Sequence, residues 1–75
     1  MDNKQGITVR NRIKAVLADH DKKSGWLAEQ LGKSPNTVSR WCSNKTQPSL
    51  ALLGEIASVL NVEVSTLITT VENKE

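Results

Sequence analysis

The sequence cannot form an internal disulfide, because Cys42 is its only cysteine. It also has no apolar run close to the roughly 18 to 20 residues needed to span a membrane. Its first ten residues, MDNKQGITVR, lack the apolar core of a secretory signal. These absences are consistent with a reducing compartment. We therefore expect a cytoplasmic protein without a membrane partner.

The sequence lacks the residue combinations that most enzymes and metal sites use. His20 is the only histidine, and no carboxylate pair, Cys–His couple or glycine-rich phosphate loop occurs at a catalytic spacing. A chain of 75 residues also leaves little room for a substrate pocket. We predict no catalytic residue, metal site, cofactor or small-molecule substrate, and a buried apolar role for Cys42.

The length bounds the organisation of the chain. A chain this short buries only about 60 to 65% of the surface that it exposes when unfolded, so its stability is expected to be modest. No repeat, low-complexity segment or composition shift indicates a second unit. We predict one domain over residues 1–75, with a frayed start at 1–6 and a loose tail at 73–75.

The net charge of +2 is unevenly distributed. Residues 1–31 carry six basic and four acidic side chains, residues 32–48 carry three basic and no acidic ones, and residues 49–75 carry one basic and four acidic ones. The positive maximum in the middle suits a polyanionic partner. Three cations are also compatible with an ordinary solvated surface, so the charge alone decides neither interpretation.

Two short helices joined by a tight turn are predicted in the middle of the chain. Gly32 can end the first helix in a left-handed conformation, Ser34 can cap the second, and Pro35 suits its first position. Ser24 is predicted to cap the first helix. The i, i+3, i+4 spacing that supports both helices is found at Leu27, Ala28 and Leu31, and then at Val38, Trp41 and Cys42.

The second helix of this pair would leave one polar face uncovered. That face has hydrogen-bonding groups, one cation and no carboxylate, which suits insertion into the major groove of DNA. Lys33, in the turn, could reach a phosphate or lay its stem over apolar surface. The uncovered residues are Asn36, Thr37, Ser39, Arg40 and Ser43.

Three further helices complete the predicted fold, which is all-α. Apolar spacing predicts a first helix from Ile7 or Thr8 to about Asp19, a fourth over about 50–60 and a fifth over about 64–72. Asn44 suits a left-handed stop at the end of the third helix. Ser49 is expected to cap the fourth helix and Asn61 to end it. The predicted buried stripe of the fourth helix is Leu50, Leu53, Ile56, Ala57 and Leu60. Trp26 is predicted to cover the core, with a surface position beside a phosphate as the alternative.

The motifs of residues 27–62 resemble the Xre/Cro and phage-repressor-like helix-turn-helix family. They read L-A-x-x-L-G, then S-x-x-T-V-S-R-W, a polar loop with P-S, and L-x-x-I-A-x-x-L-x-V. The resemblance covers about residues 10–70. It implies a compact five-helix, lambda-repressor-like domain that binds specific double-stranded DNA, usually as a two-fold dimer, and regulates transcription.

The resemblance also implies which residues contact DNA. It places base contacts at Pro35, Asn36, Thr37 and Arg40. An arginine can chelate guanine, an asparagine can pair with adenine, and a threonine methyl can meet the thymine methyl. The predicted phosphate contacts are Ser24, Lys33, Ser39, Ser43, Asn44, Lys45 and Gln47.

Four residues depart from the family pattern. Cys42 stands where a glutamate usually follows the tryptophan, and Leu17 stands where its arginine partner usually lies. An apolar pair can replace a buried ion pair at little cost, so the predicted fold is unaffected. Lys33 replaces an apolar residue of the turn, and Ser24 replaces a glutamine that would reach further towards a phosphate.

The leading functional hypothesis is a transcriptional regulator, and more specifically a repressor. The rival hypothesis is a protein-interaction module of the same fold, antitoxin-like or phage-associated, that does not bind DNA; the modest net charge favours it. One recognition helix reads only a few base pairs, so we expect a homodimer on two half-sites. Candidate interface residues are Val62, Val64, Ile68 and Val71.

Overall fold

The computed structural model describes residues 6–72. The predicted loose tail at 73–75, and all but Gly6 of the predicted frayed start, lie outside the described residues. None of the helices in the described part of the chain combines the length and apolar content that crossing a bilayer requires. The elements are β1 (Ile7–Asn11), α1 (Ile13–Asp19), α2 (Ser24–Leu31), α3 (Pro35–Cys42), α4 (Leu50–Leu60), a 3-10 turn (Val64–Leu67) and β2 (Ile68–Glu72).

The predicted all-α, five-helix fold is wrong. β1 and β2 form a two-stranded antiparallel sheet, in which Ile7 lies opposite Glu72 and Asn11 lies opposite Ile68. β1 replaces the first part of the predicted first helix, which begins only at Ile13. The predicted fifth helix is instead the 3-10 turn followed by β2. Residues 6–72 therefore combine four α-helices with a two-stranded sheet, formed by the first and last elements of this range.

β-branched side chains explain this correction. Residues 7–9 read Ile-Thr-Val and residues 68–71 read Ile-Thr-Thr-Val, so every position in both runs is β-branched. Such side chains are restricted at χ1 and favour strands over helices. Their apolar members also happen to match a helical spacing, and the partner of each strand lies at the other end of the chain. Local periodicity alone therefore favours the wrong element.

One hydrophobic core joins the four helices and the 3-10 turn. The apolar stripes predicted for α2, α3 and α4 are confirmed in their central residues. Leu50 is an exception: it is the first residue of α4 and is 85% exposed, although it was predicted on the buried stripe. The buried apolar residues are Ile13, Val16, Leu17, Leu27, Ala28, Val38, Trp41, Leu53, Ile56, Ala57, Leu60 and Leu67.

The predicted helix ends around α3 and α4 are confirmed. Gly32 adopts the left-handed conformation after α2, with φ of 68°. The Ser34 hydroxyl accepts a hydrogen bond from the Thr37 N–H at 3.1 Å, which caps α3. Ser49 caps α4 in the same way, and Asn61 ends it with φ of 58°. These caps fix where α3 and α4 begin and so fix which of their faces meet the core.

Asn11 joins the sheet to the helices. Its side chain is buried, and its Oδ1 accepts from the Ile13 N–H at 3.0 Å. Its Nδ2 donates to the Trp41 carbonyl oxygen at 2.8 Å and to Gln47 Oε1 at 2.7 Å. Its backbone N–H donates to Asn44 Oδ1 at 2.9 Å, and its carbonyl accepts from Asn44 Nδ2 at 3.1 Å. One residue thus links β1, the start of α1, the end of α3 and the following loop.

We expect Asn11→Ala to lower the free energy of unfolding by about 2 to 4 kcal/mol, because it leaves buried partners such as the Trp41 carbonyl without a donor. Urea denaturation followed by circular dichroism measures the change. Asn36→Ala removes the same side chain from an exposed position, and we expect it to change stability by no more than about 0.5 kcal/mol. Equal stabilities of the two variants would contradict the structural role of Asn11.

Candidate nucleic-acid interface

α3 is fixed on one side and exposed on the other. Val38 and Trp41 are buried, the Ser34 cap sets the first turn, and Pro35 occupies the first helical position. No described residue forms a hydrogen bond or ion pair with the Arg40 guanidinium. The helix therefore presents an unoccupied polar face to solvent. Its exposed residues are Pro35, Asn36, Ser39 and Arg40.

The predicted base-contacting residues differ in how available they are. Asn36 and Arg40 are four positions apart, so their side chains lie on the same side of α3, one turn from each other. Thr37 is half-buried, and its Oγ1 lies 2.8 Å from Ser34 Oγ. Its hydroxyl is therefore engaged in the cap, which leaves the methyl group as the part suited to a base contact.

Three predicted phosphate contacts meet in one groove. Ser24, at the start of α2, and Ser39 and Ser43, on and just after α3, all line a cavity of about 640 Å³. The cavity also contacts Leu17 of α1 and Cys42 of α3. We call it the α1–α3 groove. It brings residues from α1 and α2 alongside α3.

Three lysines that we did not predict also line the α1–α3 groove. They are Lys14 of α1 and Lys22 and Lys23 of the segment before α2, and Asp21 is the only acid among the lining residues. The groove therefore has an excess of positive charge beside α3. The local sequence gave no signal for this, because Lys14 reads as an outward helix residue and the other two as part of a polar loop.

The loop after α3 has a mainly structural set of contacts. Asn44 and Gln47 both bond to Asn11, and Gln47 Nε2 donates to Asn44 Oδ1 at 2.9 Å. Asn44 adopts a left-handed conformation with φ of 62°, as predicted for a helix stop. Because each side-chain amide has two hydrogens, each of these residues keeps one that is not used in this network.

Lys33 and Lys45 lie apart from both of these clusters. Each is exposed, Lys33 in the turn between α2 and α3 and Lys45 in the loop after α3. Neither lines the α1–α3 groove. The backbone N–H of Lys45 donates to the Arg40 carbonyl at 2.9 Å, so the loop turns back against the end of α3.

The predicted cap at Ser24 is wrong. Lys23 holds the cap position of α2, with φ of −116° and ψ of 165°, and no side chain caps this helix. Ser24 is the first helical residue, and its hydroxyl is not used for capping. The reason is a shift of one residue in the start of α2, which leaves Ser24 half-buried at the rim of the groove.

The sequence pattern of the helix-turn-helix family matches residues 27–67. These residues include α3, its cap and the turn before it. The chain belongs to the Xre/Cro-like helix-turn-helix family. This confirms the resemblance deduced from the motifs.

Two solved structures are similar to this chain over more than residues 27–67. One is described as "a putative DNA-binding protein from Bacteroides fragilis"; it is 56% identical over 83% of this chain and 100% of that chain, with a TM-score of 0.81. The other is the transcriptional regulator VanUg, which is 30% identical over 96% of both chains, with a TM-score of 0.72. No protein with a curated description shows a significant match.

The departures from the family pattern at Leu17 and Cys42 lie together in the groove. Leu17 is buried and Cys42 half-buried, and both line it. Burial raises the pKa of the Cys42 thiol, and the nearby charge of Lys14 opposes this to a smaller extent. The thiol is therefore neutral at physiological pH, as suits an apolar wall residue.

Trp26 packs against the core rather than lying free at the surface. It is half-buried, and the Lys22 ammonium lies 4.7 Å from the centroid of its ring. A cation over an indole ring contributes about 0.5 to 1 kcal/mol at an exposed site. The core interpretation of Trp26 is confirmed, and the ring also helps to position Lys22 beside the groove.

We expect Cys42 to react slowly with iodoacetamide in the folded protein, because its raised pKa lowers the thiolate fraction. Mass spectrometry after alkylation at pH 8 should show a rate about tenfold or more below that in urea. The pKa of Cys42 is higher in the folded protein than in the unfolded chain, so the thiol of the unfolded chain ionises first as the pH rises. The free energy of unfolding of the wild type should therefore fall with rising pH more than that of Cys42→Ala.

The matched control for alkylation is Ser58→Cys in a Cys42→Ala background, which puts the single thiol on the exposed side of α4. This variant should react at nearly the same rate in buffer and in urea. If Cys42 of the folded wild type reacts as fast as this exposed cysteine, the burial argument fails.

Proposed function

We propose that this protein is a sequence-specific regulator of transcription that inserts α3 into the major groove of double-stranded DNA. The observation that carries the proposal is the exposed outer face of α3, where Asn36 and Arg40 lie one turn apart on a helix fixed from behind. The similarity to a transcriptional regulator over 96% of the chain supports the same function.

Base readout is assigned to the exposed face of α3. The Arg40 guanidinium can bind guanine O6 and N7 as a fork, and the Asn36 amide can bind adenine N6 and N7. The Thr37 methyl group and Pro35 supply apolar contact to a thymine methyl. These roles need no bond breaking, so the protein acts by occupancy and not by catalysis.

Phosphate contacts are assigned to the residues that surround α3. Ser24 and Ser39 can donate hydroxyl hydrogens from the α1–α3 groove, and its lysines add positive charge. The Ser43 hydroxyl donates to the Arg40 carbonyl at 3.2 Å, so it contacts a phosphate by exchanging that bond for one to the phosphate oxygen. Lys33 and Lys45 extend this surface at the two ends of α3. The unused amide hydrogens of Asn44 and Gln47 can add contacts from the loop. Such contacts orient α3 without reading the sequence.

Repression and dimerisation are part of the same proposal. A small protein that covers one or two turns of DNA blocks other proteins from that site, which is sufficient for repression. One recognition helix contacts only a few base pairs, so two copies would bind half-sites about 34 Å apart, related by a two-fold axis.

Arg40→Ala should weaken binding to the preferred duplex by about 1 to 3 kcal/mol and relax preference at one base pair per half-site. The preferred duplex is first obtained by selection from a random pool, and a two-fold symmetric motif is expected. Arg40→Lys is the matched control, because it keeps the charge but loses the fork. It should retain phosphate-dependent affinity while losing the base preference.

Selection that enriches no motif, with no binding at low salt, would reject the proposal. In that case the same fold would serve as a protein-interaction module, and Arg40→Ala would leave its partner binding unchanged. Enrichment of a motif that Arg40→Ala reads as well as the wild type does would reject the assignment of Arg40.

Lys14→Gln and Lys23→Gln should each reduce the slope of log K against log salt by about 0.9, because each removes one phosphate contact. Base preference should remain unchanged. Ser58→Glu makes the same change in net charge on α4, which does not line the groove, and should leave the slope nearly unaltered. Equal effects of all three substitutions would show that only net charge matters.

A further inference from the structure

The two outer edges of the sheet differ in how many of their backbone N–H and carbonyl groups are free to pair with another strand. The Arg12 N–H donates to the Leu67 carbonyl at 2.7 Å, directly beyond the paired strands. Hydrogen-bonded and non-bonded pairs alternate along an antiparallel ladder. Counting back from Arg12 and Leu67, residues 8 and 10 bond to 71 and 69 across the sheet. Residues 7, 9 and 11, and 68, 70 and 72, therefore direct their backbone groups outward.

The outer edge of β1 is partly occupied. The outward N–H and carbonyl of Asn11 already bond to the Asn44 side chain. The outer edge of β2 is open along its described length, because no described residue bonds to the outward groups of Ile68, Thr70 or Glu72. A further strand can therefore pair with all of β2 but not with all of β1.

The composition of β2 favours such pairing. Four of its five residues are β-branched, and it has none of the lysine or proline residues that commonly protect an edge strand. The sheet also exposes apolar side chains, with Ile7 63%, Val9 58%, Val71 42% and Ile68 38% exposed. Two strands alone are marginally stable in water, whereas additional strands stabilise a sheet.

We propose that β2 pairs antiparallel with β2 of a second copy of this chain, forming a four-stranded sheet in the order β1–β2–β2′–β1′. The two-fold axis passes beside Thr70, so that Thr70 faces Thr70 of the second copy and Ile68 faces its Glu72. This register uses every outward N–H and carbonyl of both strands. It also keeps the two Glu72 carboxylates about 13 Å apart along the strands, which limits their repulsion.

The proposed sheet suits the spacing of the two recognition helices. Three strand separations place β1 and β1′ about 14 Å apart, and a four-residue offset adds about 13 Å along the strands. The two Asn11 residues would then be about 20 Å apart, by combination of these spacings. Because the outward backbone groups of Asn11 bond to Asn44, which follows α3, the loop after each α3 would lie beyond the outer edge of β1. The two α3 helices would then be separated by more than the about 20 Å between the Asn11 residues, in the direction of the about 34 Å between half-sites one turn apart.

This inference rests on the proposed function and names the interface of its dimer. Of the four predicted interface residues, Ile68 and Val71 lie in β2, whereas Val62 packs against the core and Val64 lies in the 3-10 turn. A five-residue strand pair buries less than the roughly 800 Å² per partner of a standard interface. The dimer is therefore weak alone and is stabilised by binding two half-sites together.

Thr70→Pro tests the interface, because it removes a central outward N–H without removing a bond between β1 and β2. Val9→Pro is the matched control: it makes the same change at the residue opposite Thr70 but on the edge of β1. Thr70→Pro should bind a two-half-site duplex at least about tenfold more weakly than Val9→Pro, because the avidity of paired half-sites is lost. Both should bind a single half-site as the wild type does.

Thr70→Cys in a Cys42→Ala background gives an independent test that does not depend on a tolerated proline. Facing residues in a hydrogen-bonded antiparallel pair have Cα atoms about 5.5 Å apart, within disulfide range. Mild oxidation on the two-half-site duplex should therefore give a covalent dimer. Val9→Cys in the same background should give none, because the two residues would be about 14 Å apart.

The outcomes separate this inference from the proposed function. Two-half-site binding by the wild type, with equal affinities of the proline variants or equal cross-linking of the cysteine variants, would overturn the β2 interface and leave the regulator intact. Cross-linking specific to Thr70→Cys without any DNA binding would support the interface and overturn the regulator. If Thr70→Pro does not fold, the cysteine pair alone decides.

Discussion

The buried side chain of Asn11 is the constraint on which the arrangement of this protein depends. A single amide accepts from the start of α1 and donates to the end of α3 and to Gln47. An aspartate could not make the two donations, and an apolar residue could make none of these bonds. Through Asn44, the same residue holds the loop that follows α3. The sheet formed by the chain ends is thus coupled directly to α3.

The proposed DNA-binding surface follows from how α3 is held. The Ser34 cap and the buried Val38 and Trp41 consume one side of the helix, so the opposite side has no partner within the described chain. The α1–α3 groove lies beside it and is lined by lysines from two elements. Leu17, which is buried, and Cys42, which is half-buried, form part of the wall of that groove.

Local turn chemistry made much of this predictable from the sequence. Gly32 lacks a Cβ atom and so suits the left-handed conformation that ends a helix. The hydroxyl groups of Ser34 and Ser49 suit the position that caps the start of a helix. The apolar stripes of α2 to α4 then specify which helix faces are buried. The exposed face of α3 follows from these two signals.

The rest depended on contacts between residues far apart in the chain. The sequence does not by itself indicate the strands, because β-branched runs with helical spacing are ambiguous and because β1 and β2 stabilise each other only once residues 7–11 and 68–72 meet. The role of Asn11 depends on residues 30 to 36 positions away. The groove lysines become neighbours of Ser39 only when α1 packs beside α3.

The central claim is that the side of α3 left free by the core is the surface that meets DNA. Amide chemical shifts recorded during titration with the selected duplex test it most directly. The account predicts the largest changes over residues 35–43, with further changes at Lys14 and residues 22–24, and little change at the exposed residues of α4. Changes concentrated in α4, with the amides of α3 unaltered at saturation, would contradict it.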